Sequence, residues 1–186
     1  MRALRKPYCI AIWPARVARG PLRALGELYE TKEEYEKAVD LYRESLGIVQ
    51  ELRDITNVSH LYFNVGRALQ LAGKDQEAKR YLLDALRQSR QLGKKAGEVR
   101  ALAGLGVVAS AEGQTERAVT LLTASRSLFT KLGLSFPSNQ SAWLDRHVAQ
   151  ALAQLGEGRF IAVAAQAEKM SLEQTVRYAL EEEDSA

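Results

Sequence analysis

Apolar residues recur along this chain at helical spacing. Leu22, Leu25, Leu28 and Tyr29 form one stripe, and Tyr62, Val65, Ala68 and Leu69 form another. Both follow the i, i+3, i+7 rhythm of an amphipathic helix. Glycines punctuate the stripes. Gly73 and Gly113 stand where a first helix needs a left-handed cap, and Gly93 and Gly133 stand where a second helix closes. Thr31 followed by Glu34 has capping-box spacing and predicts the start of a second helix.

The pattern repeats every 40 residues. Gly26, Gly66 and Gly106 fall in one register, as do Ala38, Ala78 and Ala118, and Leu52, Leu92 and Leu132. Ser45, Ala85 and Ser125 keep a small side chain at one position, whereas Tyr42, Leu82 and Leu122 keep a large one. Each unit therefore reads as a helical hairpin. Its small positions let two helices approach closely, and its large ones fill the space between hairpins. A lone hairpin cannot bury its apolar face, so the hairpins must stack.

The two ends depart from this register. It places the first helix of unit one near residue 15, but Pro21 sits inside that span, and a helix interior resists proline. The expectation is a helix from Pro21 and an irregular basic arm over 1–20. The three hairpins then occupy 21–133, and a degenerate hairpin with a capping helix occupies 134–186. There Trp143, Leu144, Val148, Leu152 and Leu155 mark a helix ended by Gly156. A second runs from Phe160 to Lys169, and Ser171 with Gln174 caps a third reaching about Glu182.

These units resemble the tetratricopeptide repeat. The family's signature reads here as Leu25-Gly26, Tyr29 and Ala38, then Val65-Gly66, Leu69 and Ala78, then Leu105-Gly106, Ala109 and Ala118. The period is 40 and not the usual 34, similar to a longer-helix variant. The resemblance implies an all-α fold, a right-handed superhelical stack of antiparallel hairpins. Residues 121–134 and 155–182 resemble the closing section of multidomain bacterial signalling ATPases. That likeness implies the C-terminal tail of a larger regulator, truncated ahead of unit one.

Composition agrees with a helical, globular chain. Hydrophobic residues make up 46% and charged ones 26% of 186 residues, and only 4 are proline. The net charge of +3 is uneven. Residues 1–26 carry six basic side chains and no acid, leaving 20 basic against 23 acidic residues in the remainder. A basic arm of this kind, with Tyr8 and Trp13 interleaved, is the only feature favouring nucleic acid, and it lies off the folded body. The single Cys9 excludes an internal disulfide and points to a reducing, cytoplasmic setting. No apolar run approaches the roughly 20 residues of a membrane span.

Chemistry is sparse. Gly73-Lys74-Asp75 lacks the residues of a phosphate-binding loop, and Gly104-Leu105-Gly106 falls inside a helix with no strand before it. His60 and His147 have no metal-ligating neighbour at helical spacing. The paired acids Glu33-Glu34 and Glu181 to Glu183 read as solvated charge at a helix start and a tail. The chain is therefore expected to be no enzyme, with no catalytic residue, cofactor or metal.

In stacked tetratricopeptide hairpins the first helices line a concave groove. The resemblance places Arg23, Glu27 and Glu30 there from unit one. Unit two adds His60, Phe63, Asn64, Arg67 and Gln70, and unit three adds Arg100, Ala103, Val107 and Ser110. The lysine–asparagine clamp that some members use for chaperone tails is not reproduced, since Phe63 and Arg67 hold those positions. The expected role is to bind a protein, peptide or small effector in the groove, as the sensor or scaffold part of a regulator. A stand-alone adaptor joining two proteins is the alternative, and nucleic-acid binding through the arm is another. Self-association through the bare first hairpin is also expected.

Overall fold

The computed structural model describes residues 8–181, with side chains from residue 20 onward. Nine helices occupy the described residues, which contain no strand. They are α1 (Tyr8–Thr31), α2 (Tyr35–Glu51), α3 (Ile55–Leu71), α4 (Asp75–Gln91) and α5 (Lys95–Ala111), followed by α6 (Thr115–Lys131), α7 (Ser138–Leu155), α8 (Glu157–Ala167) and α9 (Leu172–Leu180). Consecutive helices pack against each other, so the expected stack of hairpins, a tetratricopeptide-like helical solenoid, is the fold.

The turns reveal a finer period than the sequence repeat. Helices α2 to α6 are each 17 residues long. A left-handed residue follows every 20 positions: Glu33, Arg53, Gly73, Gly93, Gly113 and Gly133, with φ between 50° and 76°. Each is closed the same way. The Lys74 N–H donates to the Leu69 carbonyl at 2.9 Å and the Gly73 N–H to that of Gln70 at 3.0 Å. The same pair of bonds recurs at 33–34, 53–54, 93–94, 113–114 and 133–134. This is the Schellman closure, which satisfies the orphan carbonyls at a helix end. Glycine supplies the left-handed residue at four turns, but Glu33 and Arg53 adopt it with a Cβ present.

That closure corrects the predicted capping box at Thr31 and Glu34. Thr31 is still the last residue of α1, with Oγ1 donating to the Leu28 carbonyl at 2.7 Å. The Glu34 N–H is spent on Tyr29, so α2 starts only at Tyr35, and Glu34 caps it with no side-chain bond. The capping box at Ser171 is present: Ser171 Oγ accepts from the Gln174 N–H at 3.2 Å, and Gln174 Oε1 accepts from the Ser171 N–H at 2.8 Å.

Helix α1 begins at Tyr8 and runs through both Pro14 and Pro21, so the expected start at Pro21 was too late. Proline removes one backbone donor and strains one turn, and the flanking turns still close. The rest of the expected arm, residues 1–7, lies outside the described residues.

The small and large positions of the repeat meet as pairs. A Cβ on Gly26 would stand 2.6 Å from the Tyr42 ring, one on Gly66 2.8 Å from Leu82, and one on Gly106 3.0 Å from Leu122. Tyr42, Leu82 and Leu122 are fully buried. Each hairpin is thus locked by one large side chain of its second helix seated on a glycine of its first.

Helix α5 is the centre of the stack. It packs against α3, α4, α6, α7 and α9, and every residue from Glu98 to Ser110 is buried except Arg100. Helix α9 covers it from outside, with Val176 and Ala179 in the core and the Arg117 guanidinium donating to the Ala179 carbonyl at 2.9 Å.

Candidate functional site

Helix α3 presents Thr56, Ser59, His60 and Phe63 at i, i+3, i+4 and i+7, which places them on one face. The start of α5 stands opposite, contributing Lys94, Lys95, Ala96, Gly97 and Arg100. Between them lies a cleft of about 330 Å³. The Lys94 ammonium donates to the Thr56 carbonyl, which ties the two helix starts together. A second cleft of about 220 Å³ opens on the other side of His60, lined by Arg23, Ser45, Val49, Asn57 and Leu61 among others. Neither lining contains an acidic residue.

The electrostatics follow from that lining. Burial, followed by the charges of Arg100, Arg23, Arg67 and Lys94, pushes the His60 imidazole down to about 4. The ring is therefore neutral near pH 7. Burial likewise pulls Arg100 below the ordinary arginine range, while its guanidinium rests 5.9 Å from the centre of the Phe129 ring. The Arg100 Nε is buried without a hydrogen-bond partner among the described residues.

Of the residues expected in the groove, His60, Phe63 and Arg100 share the larger cleft, and Arg23 lines the smaller one beside His60. Arg23 is also ion-paired to Glu27. Asn64 is 2% exposed and Arg67 4% exposed, both turned into the interior. Arg67 pairs there with Glu30, itself 8% exposed, and so links α3 to α1. Burial outweighs the attraction of Arg67 and raises the Glu30 carboxyl above its usual range.

The far end of the expected groove is covered by α7. The Trp143 indole N–H donates to Gln70 Oε1 at 2.7 Å, and His147 Nδ1 lies 3.3 Å from Ser110 Oγ. Ala103, Val107 and Ser110 are all buried. The end near the starts of α3 and α5 stays open as a cleft. Sequence reasoning missed Thr56, Ser59, Lys94 and Lys95. The two α3 residues were legible, because they precede His60 by four and one positions on its own face; Lys94 and Lys95 are the N-cap and first residue of α5, and periodicity does not say what a helix end faces.

Among the described residues no three histidine, cysteine or acidic side chains stand close enough to hold a metal ion. No helix among them is long and apolar enough to cross a membrane. Two family models, each of the tetratricopeptide repeat, match the chain, one over residues 22–56 and the other over 54–131. Comparison with curated proteins gave no match.

Proposed function

We propose that this chain, which belongs to the tetratricopeptide repeat family through residues 22–131, holds a peptide segment of a protein partner along the starts of α3 and α5 and the stretch of α1 around Arg23. Tetratricopeptide repeats make a helical-repeat interaction module, and the role is one of binding without catalysis. The observation that carries the reading is the pair of clefts joined at His60, with about 330 and 220 Å³ of space. Together they run from the stretch of α1 around Arg23 to the starts of α3 and α5, a shape suited to an extended chain. Each cleft is near or below the lower bound of small-molecule pockets, which favours side chains of a segment over a large free ligand.

The likeness of residues 121–134 and 155–182 to the closing section of bacterial signalling ATPases supports a place as the sensor or scaffold part of such a regulator, in the cytoplasm. A displayed library of random peptides, selected on the full chain, tests the binding face. Selected peptides should shift amide resonances of residues 56–63 and 94–100. The exposed Thr56→Trp substitution, which fills the larger cleft, should abolish their binding. Peptides that shift only α4 and α6 resonances, and that still bind Thr56→Trp, place the site on the opposite face.

A further inference from the structure

We infer that the cleft between α3 and α5 is built to take an oxyanion, a carboxylate or phosphate carried by a side chain of the held peptide. The inference rests on the peptide-binding reading above and adds to it the chemistry of the occupant.

The first support is charge without compensation. Lys94, Lys95 and Arg100 line the cleft and no acid does. Arg100 is half-buried, and no carboxylate is paired with it among the described residues. Its cationic head lies against the Phe129 ring and its Nε has no partner. A half-buried guanidinium that has lost water and gained no counter-ion is a costly arrangement unless a ligand completes it.

The second support is the helix start itself. The α5 N-terminus carries partial positive charge, and its N-cap Lys94 makes no side-chain cap bond. Two lysines at that end oppose the helix dipole. The one acidic residue of the first turn, Glu98, is 5% exposed. Burial raises its pKa, and the charges of Arg90 on α4 and Glu173 on α9 act on it ahead of Lys95. Helices α2, α4 and α6 instead carry Glu36, Asp75 with Glu77, and Glu116 in their first turns, none of them buried. An oxyanion seated at Ala96 would meet that residue's amide, both lysines and Arg100 together, whereas the Lys95 and Gly97 N–H groups already donate to the Gly93 and Lys94 carbonyls at 3.2 and 2.8 Å.

The third support is His60. Burial first, and then the charges of Arg100, Arg23, Arg67 and Lys94, keep its ring neutral, so the side chain between the two clefts adds no counter-charge of its own. Phe63 adjoins the cations within the same lining, leaving room for an apolar neighbour of the anionic side chain.

The test is a titration of the full chain with inorganic phosphate, and separately with sodium acetate, at ionic strength held constant with sodium chloride. The Ala96 amide and the Arg100 Nε–H resonance should shift saturably. Saturation by phosphate alone identifies a phosphoryl group, and saturation by acetate identifies a carboxylate. Arg100→Gln should weaken the response about tenfold. The exposed Lys95→Gln should weaken it too and keeps the test decisive where Arg100→Gln does not fold. Absence of a saturable shift with both anions overturns the inference. If library peptides still bind at the cleft with no acidic preference, the peptide-binding reading stands and only the oxyanion is lost. If anions bind at Ala96 while peptides bind elsewhere, the cleft is an anion site and the peptide reading falls.

Discussion

Removing Arg67 should cost the fold, and leave Glu30 as the group that reports the damage. Arg67 is 4% and Glu30 8% exposed, and they pair across α1 and α3. Arg67→Met keeps the length of the side chain but strands a buried carboxylate. Breaking one partner of such a pair costs about 3–5 kcal/mol, a large share of the roughly 5–15 kcal/mol that holds a domain together. The sign of the pH dependence follows from Glu30. Its carboxyl already lies above 4.5 because burial outweighs Arg67, and removing Arg67 raises it further. A raised folded pKa means that the native state binds the proton more tightly than the unfolded chain. Stability of Arg67→Met therefore increases as pH falls from 7 toward 5, by at most ~1.4 kcal/mol per pH unit. Urea unfolding followed by circular dichroism at the two pH values measures both effects. The double variant Glu30→Met, Arg67→Met leaves no buried charge and should return to within ~1 kcal/mol of the parent. A loss below ~1 kcal/mol for Arg67→Met, equal at both pH values, would refute the buried pair and return Arg67 to the groove.

The remaining predictions concern turns, close packing and His60. Arg53→Gly and Glu33→Gly relieve a left-handed backbone at φ 50° and 60° and should each raise the urea midpoint, by ~0.5–1 kcal/mol in stability; an unchanged or lower midpoint for both contradicts the strain. Gly66→Ala drives a methyl to 2.8 Å from Leu82 and should destabilise by ~1–2 kcal/mol, whereas Gly47→Ala meets nothing within 4 Å and should stabilise by ~0.5–1 kcal/mol, so equal effects in thermal melts would dissolve the distinction. His60, held near 4 against an ordinary 6.5, binds its proton first in the unfolded chain, so stability is lost as pH falls from about 6.5 to 4. His60→Gln should flatten that decline by up to ~3 kcal/mol in urea titrations, and parallel curves for variant and parent would show that the ring is not desolvated.

The fold was legible because its determinants are local and repeated. The spacing of Gly26, Gly66 and Gly106 announces close helix approach, but Tyr42, Leu82 and Leu122, expected to fill the space between hairpins, seat on the glycine of their own hairpin. Gly73, Gly93, Gly113 and Gly133 mark four turns, since glycine favours the left-handed region by itself. The equivalent turns at Glu33 and Arg53 were invisible, because there the stacked helices impose the conformation on residues that resist it. Thr31 shows the same limit: capping-box spacing was present, but the Schellman closure had already used the Glu34 N–H.

The binding face was only half legible. Helical periodicity puts His60, Phe63 and Arg67 on neighbouring positions of one helix, yet it says nothing of what lies across from each. Tertiary packing decided that Glu30 draws Arg67 inward, that Trp143 reaches Gln70, and that Lys94 is tied beside His60. These contacts join residues 37, 73 and 38 positions apart in the chain. A repeat fixes which residues point off a helix, because 3.6 residues per turn is a property of the backbone. Which of them remain open to a ligand depends on how far the next hairpin leans over them, and that is set only when the whole stack packs.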